Sequence, residues 1–367
     1  MTLKCGIIGL PNIGKSTIFN CISNAKAQVA NFPFSTIKPN VGIISVPDKR
    51  LTKLAILVAT TKIIPATIEI IDIAGLVKGA SNGEGLGNKF LSNILETDAI
   101  IHVLRCFDND KITHVNGYIN PIQDKKIVDH ELQMKDLETI KSRILKIKKQ
   151  TKHIVNKKVE LQLEVLLKYE EILKNGKSAR TIKFYEEDKS KIAKDLNLLT
   201  IKPIIYVCNI DEHTTIKNNK YIKAVNKVIE REKSELLVID AKIESEIAEF
   251  ETYEERLFFL NELGLKESGI SRLIRAAYRL LSLETFFTVG KKEIRSWPFL
   301  KGSTALQCAG IIHSDFKKGF IRVEVIKYID FITLGSENIC KESGKIYVEG
   351  KNYIVQDGDI MHFRFNV

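Results

Sequence analysis

The chain has 367 residues, 44% of them hydrophobic and 28% charged. That balance is ordinary for a soluble globular protein, and the length asks for two or three domains rather than one core. No apolar run approaches the ~20 residues of a bilayer span and Met1 to Gly9 lacks a signal-peptide layout, so a cytoplasmic protein with no membrane contact is expected. The net charge of +11 points toward nucleic acid, although the joint excess of Lys, Ile and Asn is also what an AT-rich genome would produce. Six cysteines, at 5, 21, 106, 208, 308 and 340, are scattered without a C-x-x-C pair, which speaks for a reducing compartment and against a disulfide framework or zinc site.

In chain order, residues 3–9 (LKCGIIG) read as a buried strand and Gly14 to Ala25 as a helix. Between them lies GLPNIGKST, in which Gly9, Gly14, Lys15 and Ser16 satisfy G-x-x-x-x-G-K-[ST]. Glycines let the backbone of Asn12, Ile13 and Gly14 wrap phosphate, while the following helix N-terminus, from Lys15 through Thr17, points N–H groups at the anion. Lys15 is expected to neutralise the β- and γ-phosphates and the Ser16 hydroxyl to ligate magnesium. In NFPFSTIKPNVG, residues 31–42, Thr36 is the expected second magnesium hydroxyl. Strands follow at 41–46 and 66–73. The latter ends in DIAG, where Asp72 would hold magnesium and the Gly75 N–H would sense the γ-phosphate.

A strand at 99–105 runs into the loop DNDKITHVNG, which contains His114. From about 128 to 196 the rhythm changes. Leu137, Ile140, Ile144 and Ile147 keep helical spacing, as do Val159, Leu163 and Leu166, with Asn175-Gly176 as a stop. Two antiparallel helices joined near His153 to Asn156 are predicted. Strands resume at 203–208 and 235–239, so strands alternating with helices imply a doubly wound, mainly parallel α/β sheet. Beyond about 282, short alternating stretches separated by Gly-containing turns imply a small β-rich domain.

These segments carry a resemblance. GLPNIGKST, NFPFSTIKPNVG, DIAGLVKGASNGEGLGNKFL and the terminal GFIRVEVI…YIVQDGDIMHFRFNV are similar to the YchF family of Obg-like ATPases over essentially the whole chain. The resemblance implies a P-loop NTPase G domain over 3–260, interrupted by the 128–196 helical hairpin. Connecting helices follow at 261–281, then a β-grasp TGS domain at 282–366. It also implies ATP as the preferred nucleotide with GTP weaker, magnesium as cofactor, and the ribosome, with its large subunit as the expected contact, as partner. An asparagine at the position of Asn12 occurs in potassium-activated relatives, which makes K+ a second candidate cation.

The base is read from YVCNIDE, residues 206–212. A guanine site would end this strand in Asn-Lys-x-Asp. Here Ile210 replaces the lysine that packs on the purine, and Glu212, one methylene longer than aspartate, would crowd the guanine 2-amino group. Adenine offers only a 6-amino donor, which Asn209 or a nearby backbone carbonyl could accept. Ala241 and Lys242 are the expected companion loop. Leu76 stands where Ras-like enzymes carry the water-orienting glutamine, so hydrolysis should be slow, and the resemblance offers His114 as the substitute polar group. In the terminal domain Lys317, Lys318, Phe320, Arg322 and Lys327 form a basic-aromatic set suited to RNA, with core packing as the alternative for Phe320. Three functions compete: a slow ribosome-associated ATPase switch, a nucleotide-gated RNA or ribosome adaptor with incidental hydrolysis, and a GTPase of ribosome assembly.

Overall fold

A computed structural model describes residues 3–24, 41–73, 86–115, 117–150, 157–211, 218–250 and 252–366. The chain divides into two compact units, one of residues 1–42 and 69–270, the other of residues 43–68 and 271–367. The second unit thus contains an early segment, and the divisions fall inside two strands and one helix.

Strand β1 (Lys4–Ile8) enters the Gly-rich turn and helix α1 (Lys15–Asn24). After β2 (Val41–Ser45) come α2 (Lys49–Val58) and β3 (Ile63–Ile64), then β4 (Thr67–Asp72), α3 (Leu86–Leu95) and β5 (Ala99–Arg105). Next are the long α4 (Pro121–Gln150), α5 (Lys157–Lys174), α6 (Glu187–Asp195), β6 (Ile204–Ile210), α7 (Lys220–Glu232), β7 (Glu235–Asp240), α8 (Ala241–Glu249), α9 (Tyr253–Glu262) and α10 (Gly269–Leu280). The six strands β2-β4-β1-β5-β6-β7 form one sheet in that order. The pairs β1/β4, β1/β5, β5/β6 and β6/β7 are parallel. Every residue of β5 and β6 is buried, as expected of central parallel strands covered on both faces. Because the order reverses beside β1, the carboxyl ends of β1, β4, β5 and β6 gather at one edge, where an open α/β sheet binds its ligand.

The arm begins at Pro121, a residue suited to a first helical position, with the Asn120 side chain accepting from Gln123 N at 3.1 Å. At 30 residues, α4 is about 45 Å long. Its seam of Leu137, Ile140 and Ile144 packs on Val165, Leu166, Tyr169 and Leu173 of α5, closed by Ala193 and Leu196. The root is tied down by the buried Asp136 carboxylate, which accepts from the backbone N–H of Leu199 and of Thr200, each at 2.7 Å. No helix among the described residues is long and apolar enough to cross a membrane.

In the second unit, β8 (Leu283–Val289), β9 (Ile294–Leu300), β10 (Phe320–Ile326), β11 (Tyr347–Glu349) and β12 (Ile360–Phe365) join β3 in a sheet ordered β11-β10-β12-β8-β9-β3. Four short helices, α11 (Ala305–Ile312), α12 (Ser314–Lys318), α13 (Tyr328–Leu334) and α14 (Glu337–Glu342), lie among them. Turn signals in the sequence hid these helices, because each is under nine residues and shows little period. Helix α2 puts Leu51, Leu54 and Ala55 into a core with Phe287, Ile294 and Phe331. Arg50 ties it to Asp357 at 2.7 Å.

Candidate nucleotide-binding site

The turn after β1 has Asn12 at φ 62° and Gly14 at φ 88°, a left-handed path that an unbranched or absent side chain tolerates. Gly14 is required for a second reason, since a Cβ there would fall inside the Asn209 amide. That amide is the brace of the site. Its Nδ2 donates to Ile13 O at 2.9 Å, and its Oδ1 accepts from Ala241 N at 3.1 Å. One side chain at the end of β6 thereby joins the phosphate turn to the first residue of α8. Ile210 is buried as the last residue of β6, opposite Asp240.

Lys15, 8% exposed, forms an ion pair with Asp72 at the end of β4. Ser16 and Thr17 are exposed at the start of α1, where the helix N-terminus favours an anion. The structure therefore gathers Asn12, Ile13, Gly14, Lys15, Asp72, Asn209 and Ala241 at the carboxyl edge of the sheet. Thr36, Gly75, Leu76 and Glu212 lie outside the described residues. Among the described residues, no group of three or more His, Cys, Asp or Glu could hold a metal ion.

His114 is not the solvated loop residue that its sequence context alone suggests. It is buried, and its Nε2 lies 3.0 Å from Asp124 Oδ2 in the first turn of α4. The loop that carries it is pinned from two sides. Asn12 Nδ2 donates to Thr113 O at 3.1 Å. Arg105, 1% exposed at the end of β5, donates to the carbonyls of Phe107, Asn109 and Ile112. Sequence reasoning missed both Arg105 and Asp124. The available signal was an arginine closing a strand that is otherwise apolar except for His102, a position that only a capped guanidinium can occupy cheaply.

All six cysteines are buried. Burial pushes the Cys21 thiol up to about 11 and the Cys5 and Cys308 thiols up to about 12, so little thiolate exists at neutral pH. Of the basic-aromatic set in the second unit, Phe320 packs against the core beside Phe363. Lys327 is held by Asp359 at 2.7 Å, and Arg322 faces Glu324 at 3.3 Å.

Comparison with known proteins agrees with this geometry. A family model described as "50S ribosome-binding GTPase" matches residues 4–157. A second, YchF-GTPase_C, described as "Protein of unknown function (DUF933)", matches residues 283–366. The chain is 51% identical to the "Ribosome-binding ATPase YchF" of Bacillus subtilis and 48% identical to that of Escherichia coli O157:H7, each over the whole of both chains. The solved structure of the Schizosaccharomyces pombe YchF GTPase superposes with a TM-score of 0.90 at 35% identity, covering 99% of this chain and 98% of that one. With full-length identity near one half and the same fold from end to end, the chain belongs to the YchF family.

Proposed function

We propose that this protein is a ribosome-associated nucleotide switch that binds ATP in preference to GTP and hydrolyses it slowly with magnesium. The observation that carries the reading is the convergence of the phosphate turn, Lys15, Asp72, Asn209 and Ala241 at one sheet edge. Relatives named as ribosome-binding ATPases and a matching model described as 50S ribosome-binding support the partner, and the latter favours the large subunit.

The donor set fits magnesium. An exposed Ser16 hydroxyl, the Asp72 carboxylate and, by its place in the sequence, Thr36 leave the remaining positions to phosphate oxygens and water, as this ion prefers. When bound, it neutralises charge on the β- and γ-phosphates. Lys15 exchanges Asp72 for phosphate, and the amides of residues 12–16 hold the anion from the α1 side. A monovalent cation such as K+ would take the Oδ1 of Asn12, whose Nδ2 is committed to Thr113. Turnover in potassium against sodium reads this directly, and equal rates dismiss it.

For the base, Asn209 is engaged at both ends in bracing loops, so the acceptor for an adenine 6-amino group falls to a backbone carbonyl. Discrimination against guanine rests on Glu212 and the missing lysine at Ile210. Competition of ATP and GTP for a fluorescent nucleotide is expected to show the lower half-displacement concentration for ATP. GTP competing equally or better would favour the reading as a GTPase of ribosome assembly.

With Leu76 unable to orient water, His114 supplies the polar group from a loop fixed by Asn12 and Arg105. His114→Ala is expected to lower turnover on the order of a hundredfold with nucleotide affinity unchanged. Equal turnover would reduce His114 to the buried partner of Asp124 and favour an adaptor whose hydrolysis is incidental. Contact of the terminal domain with RNA would fall to Lys317 and Lys318, since Phe320 and Lys327 are engaged within that domain.

A further inference from the structure

We propose that the tip of the helical arm, formed by the end of α4 and the start of α5, is an RNA-binding surface that grips the phosphate backbone of folded RNA. The proposal rests on the ribosome-associated reading for its setting and names the chemical partner and the surface that meets it.

Between residues 139 and 159 the chain carries eight Lys and Arg and no Asp or Glu. The whole chain, by comparison, has a net charge of +11. The stretch is bounded by Glu138 and Glu160, and the arm on either side is acidic or balanced. Residues 121–138 contain five acidic and three basic side chains, and residues 160–174 contain four and two. Genome-wide drift toward lysine would not remove acidic residues from one 21-residue stretch while leaving them on both flanks of the same two helices.

The described basic residues of this stretch are exposed, and the seam that holds the helices together does not need them, since Ile140, Ile144, Val165 and Leu166 form it. Helix electrostatics account for only part of the pattern. Lys148 and Lys149 occupy the last turn of α4, where a cation is favourable. Lys157 and Lys158 open α5, where the helix dipole opposes them and where they add to the like charge that ends α4. A placement unfavourable for the helix, repeated at adjacent positions in a stretch that contains no acidic residue, is explained by an external polyanion.

The residue types narrow the partner further. Seven of the eight are lysines, compact point charges that suit phosphate contacts and not bidentate reading of base edges. The stretch holds no Phe, Tyr or Trp, so it lacks the rings on which unpaired bases stack. Both facts favour the backbone of structured RNA, recognised by shape and charge without sequence preference.

The test uses the full chain and a short fluorescein-labelled RNA duplex of mixed sequence. The arm variant replaces Lys148, Lys149, Lys157 and Lys158 by Gln, a residue that keeps helix propensity. A control of equal charge change replaces the exposed Lys291, Lys292, Lys341 and Lys351 by Gln. Binding is titrated between about 50 and 200 mM salt, and fluorescent-ATP binding and thermal melting verify that both variants are folded. The arm variant is expected to lose tenfold or more in duplex affinity at low salt. Its log–log salt slope should shrink by up to about four, roughly one per lysine, while the control keeps the parent slope to within about one. Equal slopes for parent and arm variant, or a loss confined to the control, would overturn the proposal. So would a parent that co-sediments with ribosomes yet ignores the naked duplex, because the arm would then meet protein. Duplex binding that depends on the arm in a parent that fails to co-sediment would uphold the surface and refute the ribosome-associated reading instead.

Discussion

Gly14→Ala is expected to lower ATP affinity by about two to three orders of magnitude without unfolding the protein. The backbone there sits at φ 88°, where an L side chain costs about 1–2 kcal/mol. The added methyl also meets the Asn209 amide, which cannot simply swing aside. It is 3% exposed and hydrogen-bonded at both ends, to Ile13 O and from Ala241 N. Displacing it frees two buried backbone groups at about 1–3 kcal/mol each. Even at the low end of these ranges, a combined penalty of roughly 3–4 kcal/mol on the binding-competent loop corresponds to the stated loss. Titration with a fluorescent ATP analogue measures it. A double-mutant cycle with Asn209→Ala adds a sharper criterion, since the clash disappears once the amide is gone and the two effects should fall short of additivity. Parent-like affinity for Gly14→Ala would show that Asn209 is not the brace described.

The second large effect is on stability. His102 sits in the middle of β5, 1% exposed, and neither ring nitrogen has a hydrogen-bond partner. Burial first, and then the positive charges of Lys125 on α4 and Arg180, lower its pKa from 6.5 to about 3. The neighbouring ring on β6 is that of Tyr206, 5.5 Å away between centroids. The folded protein therefore keeps the imidazole neutral, whereas the unfolded chain takes up a proton as pH falls below about 6.5. The unfolded state binds more protons throughout the window from 6.5 down to about 3, so stability falls with pH there and is fully present above it. The slope approaches ~1.4 kcal/mol per pH unit, giving a loss of about 2 kcal/mol at pH 5. Urea melts of the parent and of His102→Phe at pH 7 and pH 5 measure this. The variant should lose most of the decline, and parallel declines would mean that other groups carry it.

The contrast between these two residues shows what could be read from sequence. The phosphate turn was legible because the chemistry of holding an anion against a backbone imposes glycine, lysine and hydroxyl at set spacings, whatever surrounds them. The arm was legible from Leu137, Ile140 and Ile144, because a two-helix seam writes its period into the chain. Asn209 could be placed at the base loop by its position at a strand end. Its bracing of Ile13 and Ala241 could not, since that depends on three segments 196 and 32 residues apart in sequence. The burial of His114 was not legible for the same reason, because it depends on Asp124, a residue of the following helix, and on the loop shaped by Arg105. The four helices of the terminal domain were too short to show a period. The membership of residues 43–68 in the second unit left no local mark at all.

That last feature has a consequence for how the protein is made. Residues 43–68 leave the ribosome about 200 residues before residue 271, where the rest of their unit begins. At the usual 5–20 residues per second, Leu51, Leu54 and Ala55 spend roughly 12–56 s of synthesis without Phe287, Ile294 and Phe331, the side chains that cover them. The second unit can close only when nearly the whole chain has emerged. A chain cut short before β8 would retain α2 with its apolar face bare, so removal of the C-terminal region is not a clean excision of a domain.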